Sequence, residues 1–185
     1  MTEWFETTEG LWTTLWSTLQ EGVADAAHPA RRPTFATVSP DGWPEARTVV
    51  LRTADPQEAT VTVHTDLHSD KIKSLHANPR AALHVWVPEH DLQIRLQADV
   101  TIVSGEATRL LWKTIPDHAQ QSYGVVPPPG TPITGALDYI KTPDPETFAV
   151  LSCAVTDVDV VHLGANHRRA QFSRVRHWQG QWLSP

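Results

Sequence analysis

Apolar positions in the first part of the chain follow a helical period. Leu11, Trp12, Leu15, Trp16, Leu19 and Val23 fall on one helix face, and Gly22 with the Pro29 region loosens its end. After residue 32 the pattern changes. Segment 33–39 predicts a strand, Pro40-Asp41-Gly42 a turn, and segments 45–53 and 59–65, rich in β-branched residues, further strands. The first two strands predict a hairpin. Segment 69–77 predicts a short helix with Ser69 as N-cap and Asn78-Pro79 as its stop. Segments 80–88 and 92–105 predict strands, the second long and alternating, so half-buried. Residues 106–122 predict one or two short helices, and 123–146, dense in Pro and Gly, a loop. Segments 147–157, 158–163, 169–177 and 180–184 return to strand character.

This order lacks the regular strand–helix alternation that parallel α/β winding needs. The expected class is mainly β: an antiparallel barrel with peripheral short helices and an N-terminal helix. One domain spanning 1–185 is expected, with 1–30 as a helical annex.

Composition narrows the function classes. A net charge of −6 argues against a nucleic-acid partner, which needs a cationic field, but leaves room for a local cationic pocket. No run approaches the roughly 20 apolar residues of a membrane span. The acidic start MTEWFETTEG has no basic region leading into an apolar core, so it does not read as a secretory signal. A single Cys153 excludes an intrachain disulfide framework and leans toward a reducing compartment, so a cytoplasmic location is expected. Cys153 lies in the apolar strand FAVLSCAV and reads as packing. Ten histidines raise a metal reading, but no metal-ligand spacing appears, and no metal is expected. Eight tryptophans exceed what a small core needs; some can line a planar ligand or a subunit interface.

The chemistry concentrates in two stretches. In RTVVLR (47–52), Arg47, Val49 and Leu51 alternate with Thr48, Val50 and Arg52. In HTDLHSDK (64–71), a strand delivers Thr65, and Ser69 and Lys71 stand at a helix start. Hydroxyls, helix N–H groups and a lysine are what a phosphate requires. Taken alone, the same features also describe a capped surface helix with a solvated lysine.

Taken together, RTVVLR, the T-x-x-x-S-x-K spacing, the helix ending in Asn-Pro, the strand RAALHVWV, Gln93 and the C-terminal HRRAQF…WLSP resemble the pyridoxamine 5′-phosphate oxidase-like FMN-binding split barrels. The nearest likeness is to the uncharacterised FMN-binding branch, with Thr-Asp before Ser-x-Lys. The resemblance covers about 33–122 and 160–185. It implies that Arg47 and Lys71 neutralise the FMN phosphate and that Thr65 and Ser69 donate to it. Thr48, Val49, Val50 and His64 would lie near the cofactor, and Gln93 would bond the flavin or its ribityl chain. It further implies a homodimer in which His167, Arg169 and Gln171 of one subunit complete the partner's flavin site. Arg52 and Arg168 would face a small-molecule substrate that the sequence does not name, and Trp112 either joins them by covering the flavin pocket or fills the core.

The chain departs from the true oxidase. Where that enzyme grips its substrate phosphate with Tyr, Arg and Ser, this sequence has Leu111, Ile115 and Ala119, and Asp70 replaces a basic residue of the Ser-x-Lys loop. FMN binding with an oxidoreductase activity is therefore expected, and pyridoxamine-phosphate oxidation is not. A non-catalytic flavin carrier or sensor, or the same fold around F420 or haem, are the alternatives.

Overall fold

Residues Thr8–Ala24 form helix α1. The Thr7 hydroxyl caps it by accepting the Gly10 N–H at 3.0 Å. Leu11, Leu15, Trp16 and Leu19 are buried, while Trp12 and Val23 sit at the margin of the core. Trp12 packs against Trp16, Phe172 and Trp178 with ring centroids 5.0–5.8 Å apart, so the N-terminal helix is fastened to the C-terminal segment by aromatic contact. These coordinates are a computed structural model and describe residues 3–185.

The remainder is mainly antiparallel sheet: β1 (Thr34–Val38), β2 (Pro44–Thr48), β3 (Leu51–Asp55), β4 (Thr60–Asp66), β5 (Arg80–Val87), β6 (Leu92–Ser104), β7 (Val125–Val126), β8 (Ile140–Lys141), β9 (Phe148–His162), β10 (Arg168–Ser173) and β11 (Gln181–Leu183). Helices α2 (Asp70–Ala77), α3 (Arg109–Trp112) and α4 (Asp117–Gln120) are peripheral. Strands run in the order β2–β1–β5–β6–β9. Along its other edge β9 is shared: residues 148–154 pair with β4, which in turn pairs with β3, and residues 157–162 pair with β10. Strands β2 and β3 are joined through Val49–Val50 but pair with different neighbours, so the sheet curls into a split barrel that is not closed.

The expected strand 45–53 is therefore two strands. The Val49 N–H donates to Pro33 O at 3.1 Å, outside either ladder, and the chain crosses there from one half of the barrel to the other. Segments 147–157 and 158–163 form one continuous strand instead, because β6 pairs along nearly its whole length. Segment 169–177 leaves the sheet after Ser173 in a turn that puts His177 in the left-handed region. Segment 123–146 is a loop with structure of its own, since β7 and β8 pair within it.

The inner positions of each strand make the core. Phe35, Leu51, Leu83, Ile94, Leu151 and Phe172 are fully buried, and each such side chain contributes about 1.5–3 kcal/mol. Cys153 belongs to this core, where burial pushes its thiol up to about 12, as a packing residue requires. Alternation on β6 sends Leu92, Ile94 and Leu96 inward and Gln93, Arg95 and Gln97 outward. No helix among the described residues is long and apolar enough to cross a membrane.

Candidate functional site

The register sets a polar row across the outer face of the sheet. Thr48 pairs with Thr34, Thr34 with His84, His84 with Arg95, Arg95 with Asp159 and Asp159 with Gln171. Gln93 lies beside this row, its Oε1 3.4 Å from His84 Nε2. His84, Arg95, Asp159 and Gln171 line a cavity of about 180 Å³. It adjoins a wider one of about 670 Å³, floored by Ala36 and Ala82.

Around the barrel's edge lies a third cavity, of about 490 Å³, lined by Arg47, Ser69, Asp70, Lys71 and Pro129. Local structure explains the convergence. Strand β2 carries Arg47 on the core side, opposite Phe35, and the following crossover ends the strand there. Strand β4 ends at Asp66, and the turn into α2 brings Ser69 and Lys71 back beside Thr65. Lys71 Nζ donates to Thr65 Oγ1 at 3.0 Å, Thr65 and Ser69 share a 3.0 Å hydroxyl bond, and Ser69 Oγ donates to Asp66 O at 2.8 Å. Ser69 holds the N-cap position of α2, but its hydroxyl bonds backward and leaves the leading helix N–H groups uncapped by a side chain. Those N–H groups and two of the three lysine donors are thus left for an anion.

Electrostatics agree with this geometry. The Lys71 amine lies below its ordinary value, chiefly because it is buried and secondarily because Arg47 is near; Asp66 and Asp70 offset part of this. Arg47 donates to Thr37 Oγ1 at 2.8 Å and pairs with Glu45 at 2.9 Å. Glu45 also accepts the Ser74 hydroxyl at 3.1 Å, tying Arg47 to α2. Glu45 and Thr37 carried no motif in the sequence and became visible only through strand pairing.

A second cluster surrounds Arg52 on β3. Its Nε is buried without a hydrogen-bond partner. Its guanidinium lies beside the Tyr123 hydroxyl and His64. Burial first, and Arg52 second, lower His64 to about 4, and its Nδ1 is also buried and unpartnered. Burial raises the Tyr123 phenol. Trp112 packs on Phe148 and Tyr123 at 5.4 and 6.0 Å at the margin of this cluster. Ile115 is buried, Ala119 half-buried and Leu111 exposed, so none brings a polar group to Arg52.

The C-terminal residues are distributed differently. Arg169 grips Asp159 through both Nε and Nη2, the shortest contact being 2.7 Å, and Arg95 binds the same carboxylate at 2.8 Å. Arg168 turns toward the N-terminal segment, over the Phe5 ring at 4.6 Å and 3.7 Å from Glu6. His167 is exposed in the preceding turn. The structure thus joins Arg47, Thr65, Ser69 and Lys71 in one place. Thr48, Val49 and Val50 form the adjoining edge, and Gln93 and Gln171 lie on the outer face. Arg52, His64 and Trp112 form a separate cluster, and Arg168 lies away from all three. The sequence reading missed Asp66, Tyr123 and Asp159. Only Asp66 left a signal, in the Thr-Asp dipeptide.

A family model described as pyridoxamine 5′-phosphate oxidase, FMN-binding domain, matches residues 11–104, half of the chain. The pyridoxine/pyridoxamine 5′-phosphate oxidase of Microcystis aeruginosa is 39% identical over 88 residues, covering 48% of this chain and 40% of that protein. That of Leptospira interrogans is 31% identical over 101 residues, covering 55% and 46%. The chain thus spans less than half the length of these curated relatives. A pyridoxamine 5′-phosphate oxidase-related, FMN-binding protein of Nostoc punctiforme superposes with a TM-score of 0.75 at 23% identity, covering 94% of this chain and 96% of that one. PhzG of Burkholderia lata, solved with tetrahydrophenazine-1-carboxylic acid, superposes at 0.72 with 17% identity, covering 94% and 91%. At these identities the structural likeness speaks for the fold. With half its length matched by the family model, the chain belongs to the pyridoxamine 5′-phosphate oxidase family of FMN-binding domains.

Proposed function

We propose that the protein binds FMN and acts as an oxidoreductase on a small molecule other than pyridoxamine phosphate. The observation that carries the reading is the shared cavity of Arg47, Ser69 and Lys71, backed by Thr65. A half-buried lysine held below its ordinary value is an unsatisfied cation, and a phosphate relieves it. Two cations and a helix start, with the Thr65 and Ser69 hydroxyls holding Lys71 in place, fit a phosphate monoester.

Bound there, a flavin supplies two-electron redox chemistry that no side chain of this protein provides. The protein's own contribution is placement. Arg47 and Lys71 fix the phosphate, and the Thr48–Val50 crossover offers backbone along the ring. The outer face leads to Gln93, a donor or acceptor for the ring or ribityl chain. In a separate cluster, Arg52 with Tyr123 offers one cationic, hydroxyl-bearing contact to a substrate, with Trp112 packed on Tyr123. The oxidase's second phosphate grip is absent at Leu111, Ile115 and Ala119, which favours a less anionic substrate.

The assembly belongs to the same proposal. The outer face leaves Trp86 40% exposed beside Gln93, an aromatic contact suited to a two-fold partner. In such a homodimer His167 and Gln171 of one subunit reach the other's flavin. Arg169, committed to Asp159, stiffens the strand that carries them. The test is an absorbance spectrum of the purified protein with mass spectrometry of the released cofactor, followed by reduction with NAD(P)H and reoxidation. FMN that cycles between the two states supports the reading. A haem or deazaflavin spectrum overturns the cofactor, and FMN that does not cycle overturns the enzyme.

A further inference from the structure

Segment 123–146 is fastened to the phosphate cavity at two points. At its base, the buried carboxylate of Asp66 accepts the His68 N–H at 2.7 Å with Oδ1 and the Gly124 N–H at 2.8 Å with Oδ2. One side chain thus ties the turn before α2 to the start of the Pro/Gly segment. Gly124 has φ +91°, and a Cβ there would stand 2.1 Å from Thr142 O, so the junction accepts only glycine. Thr142 returns a hydrogen bond to Gly124 O at 3.1 Å, and β7 pairs with β8 just beyond. At the other point the chain bends, with Thr131 N–H donating to Pro128 O at 3.1 Å. Pro129 there becomes part of the lining that includes Arg47 and Lys71. Gly130, at φ +85°, rests on Asp70: a Cβ would lie 3.2 Å from Oδ2.

We propose that this segment is the outer wall of the phosphate pocket and sets which flavin the pocket accepts. The inference rests on the FMN reading and adds a specificity-determining element to it. A terminal phosphate monoester ends inside the wall. A phosphate bearing a second large substituent has to pass Pro129 and the Asp70 carboxylate. If that substituent is itself anionic, as the second phosphate of FAD is, it meets a carboxylate already paired with Lys73 at 2.8 Å and finds no unpaired cation at the rim among the described residues. Asp70 stands where the oxidase has a basic residue, so the rim lacks the cation that a second phosphate would need. Gly130 keeps the wall close enough for Asp70 to form this rim.

Equilibrium titrations of FMN, FAD and riboflavin against the full chain test the wall. Two variants are compared with the parent: Gly130→Val, and a shortened form in which residues 127–138 are replaced by Gly-Ser-Gly. Both leave Arg47, Lys71 and the β7–β8 pair in place. The parent is expected to prefer FMN to FAD. Shortening is expected to weaken FMN about tenfold, to leave FAD binding no weaker than in the parent and to leave riboflavin unchanged. Gly130→Val is expected to weaken FMN about threefold with riboflavin again unchanged. An FMN-to-FAD preference that both variants retain overturns the wall. A parent that binds none of the three flavins overturns the FMN reading itself, a result that the variants cannot mimic.

Discussion

Replacing Lys71 with methionine keeps the aliphatic stem and removes the charge. In the structure Arg47 already has a counter-ion, Glu45, at 2.9 Å, and Asp70 is held by Lys73 at 2.8 Å, so the charge available to a phosphate rests chiefly on Lys71. Truncating one partner of a desolvated charged hydrogen-bond pair costs about 2–5 kcal/mol. Lys71 is half-buried, which places the loss toward the lower end, at about 2–3 kcal/mol, or a roughly 30- to 150-fold drop in FMN affinity. Quenching of flavin fluorescence at fixed ionic strength measures it, with riboflavin as the phosphate-free control. Riboflavin affinity is expected to stay within about twofold of the parent. The same lysine sets a pH dependence. Its amine is held low in the free protein, chiefly by burial, and a bound anion raises it. FMN affinity is therefore full below the free-state value and falls as pH rises through it, while the Lys71→Met variant lacks this slope. An equal loss of FMN and riboflavin, or an unchanged FMN affinity, would refute the reasoning.

Three further outcomes follow from the geometry. Glu45→Gln frees Arg47 from a partly exposed pair worth about 0.5–1 kcal/mol, so FMN binding, read by the same titration, is expected to tighten about two- to fivefold. His64 is neutral in the fold down to about 4 but takes a proton near 6.5 when unfolded. Stability is therefore full above 6.5 and falls as pH drops from 6.5 to 4, by about 1–2 kcal/mol after solvent screening. His64→Gln should flatten that part of the thermal-unfolding profile, and an identical acid slope in the variant would remove the assignment. Holo-protein given pyridoxamine or pyridoxine phosphate in air should turn over far below the median enzyme rate of about 10 per second. Pyridoxal phosphate and peroxide report it, and turnover near that rate would mean that groups other than Leu111, Ile115 and Ala119 grip the substrate phosphate.

What the sequence disclosed and what it concealed have physical causes. Helix α1 was legible because its apolar residues repeat at the helical period from Leu11 to Val23, and β6 because inward and outward residues alternate along it. The phosphate residues were legible because strand, turn and helix start bring Thr65, Ser69 and Lys71 together within seven residues. The crossover at Val49–Val50 was hidden. Both residues are β-branched and suit a strand interior, and only the change of pairing partner, a non-local fact, ends β2. The same cause merged two expected C-terminal strands into β9, whose length is set by β6. Hydrogen-bond partners such as Asp159 for Arg169, and Asp66 for the Gly124 N–H, lie 10 and 58 residues away in sequence, beyond any local pattern. The Pro/Gly segment read as a loop because its fastening depends on backbone bonds and one distant carboxylate.

The central claim is that a flavin phosphate sits in the cavity of Arg47, Ser69 and Lys71. The most direct measurement is a crystal structure of the protein reconstituted with FMN. The expected result is phosphate density within hydrogen-bond reach of Lys71 Nζ, the Arg47 guanidinium and the leading N–H groups of α2, with the ring running along Thr48–Val50 toward Gln93. Flavin seated instead in the groove floored by Ala36 and Ala82, with the Arg47–Lys71 cavity empty, would contradict it.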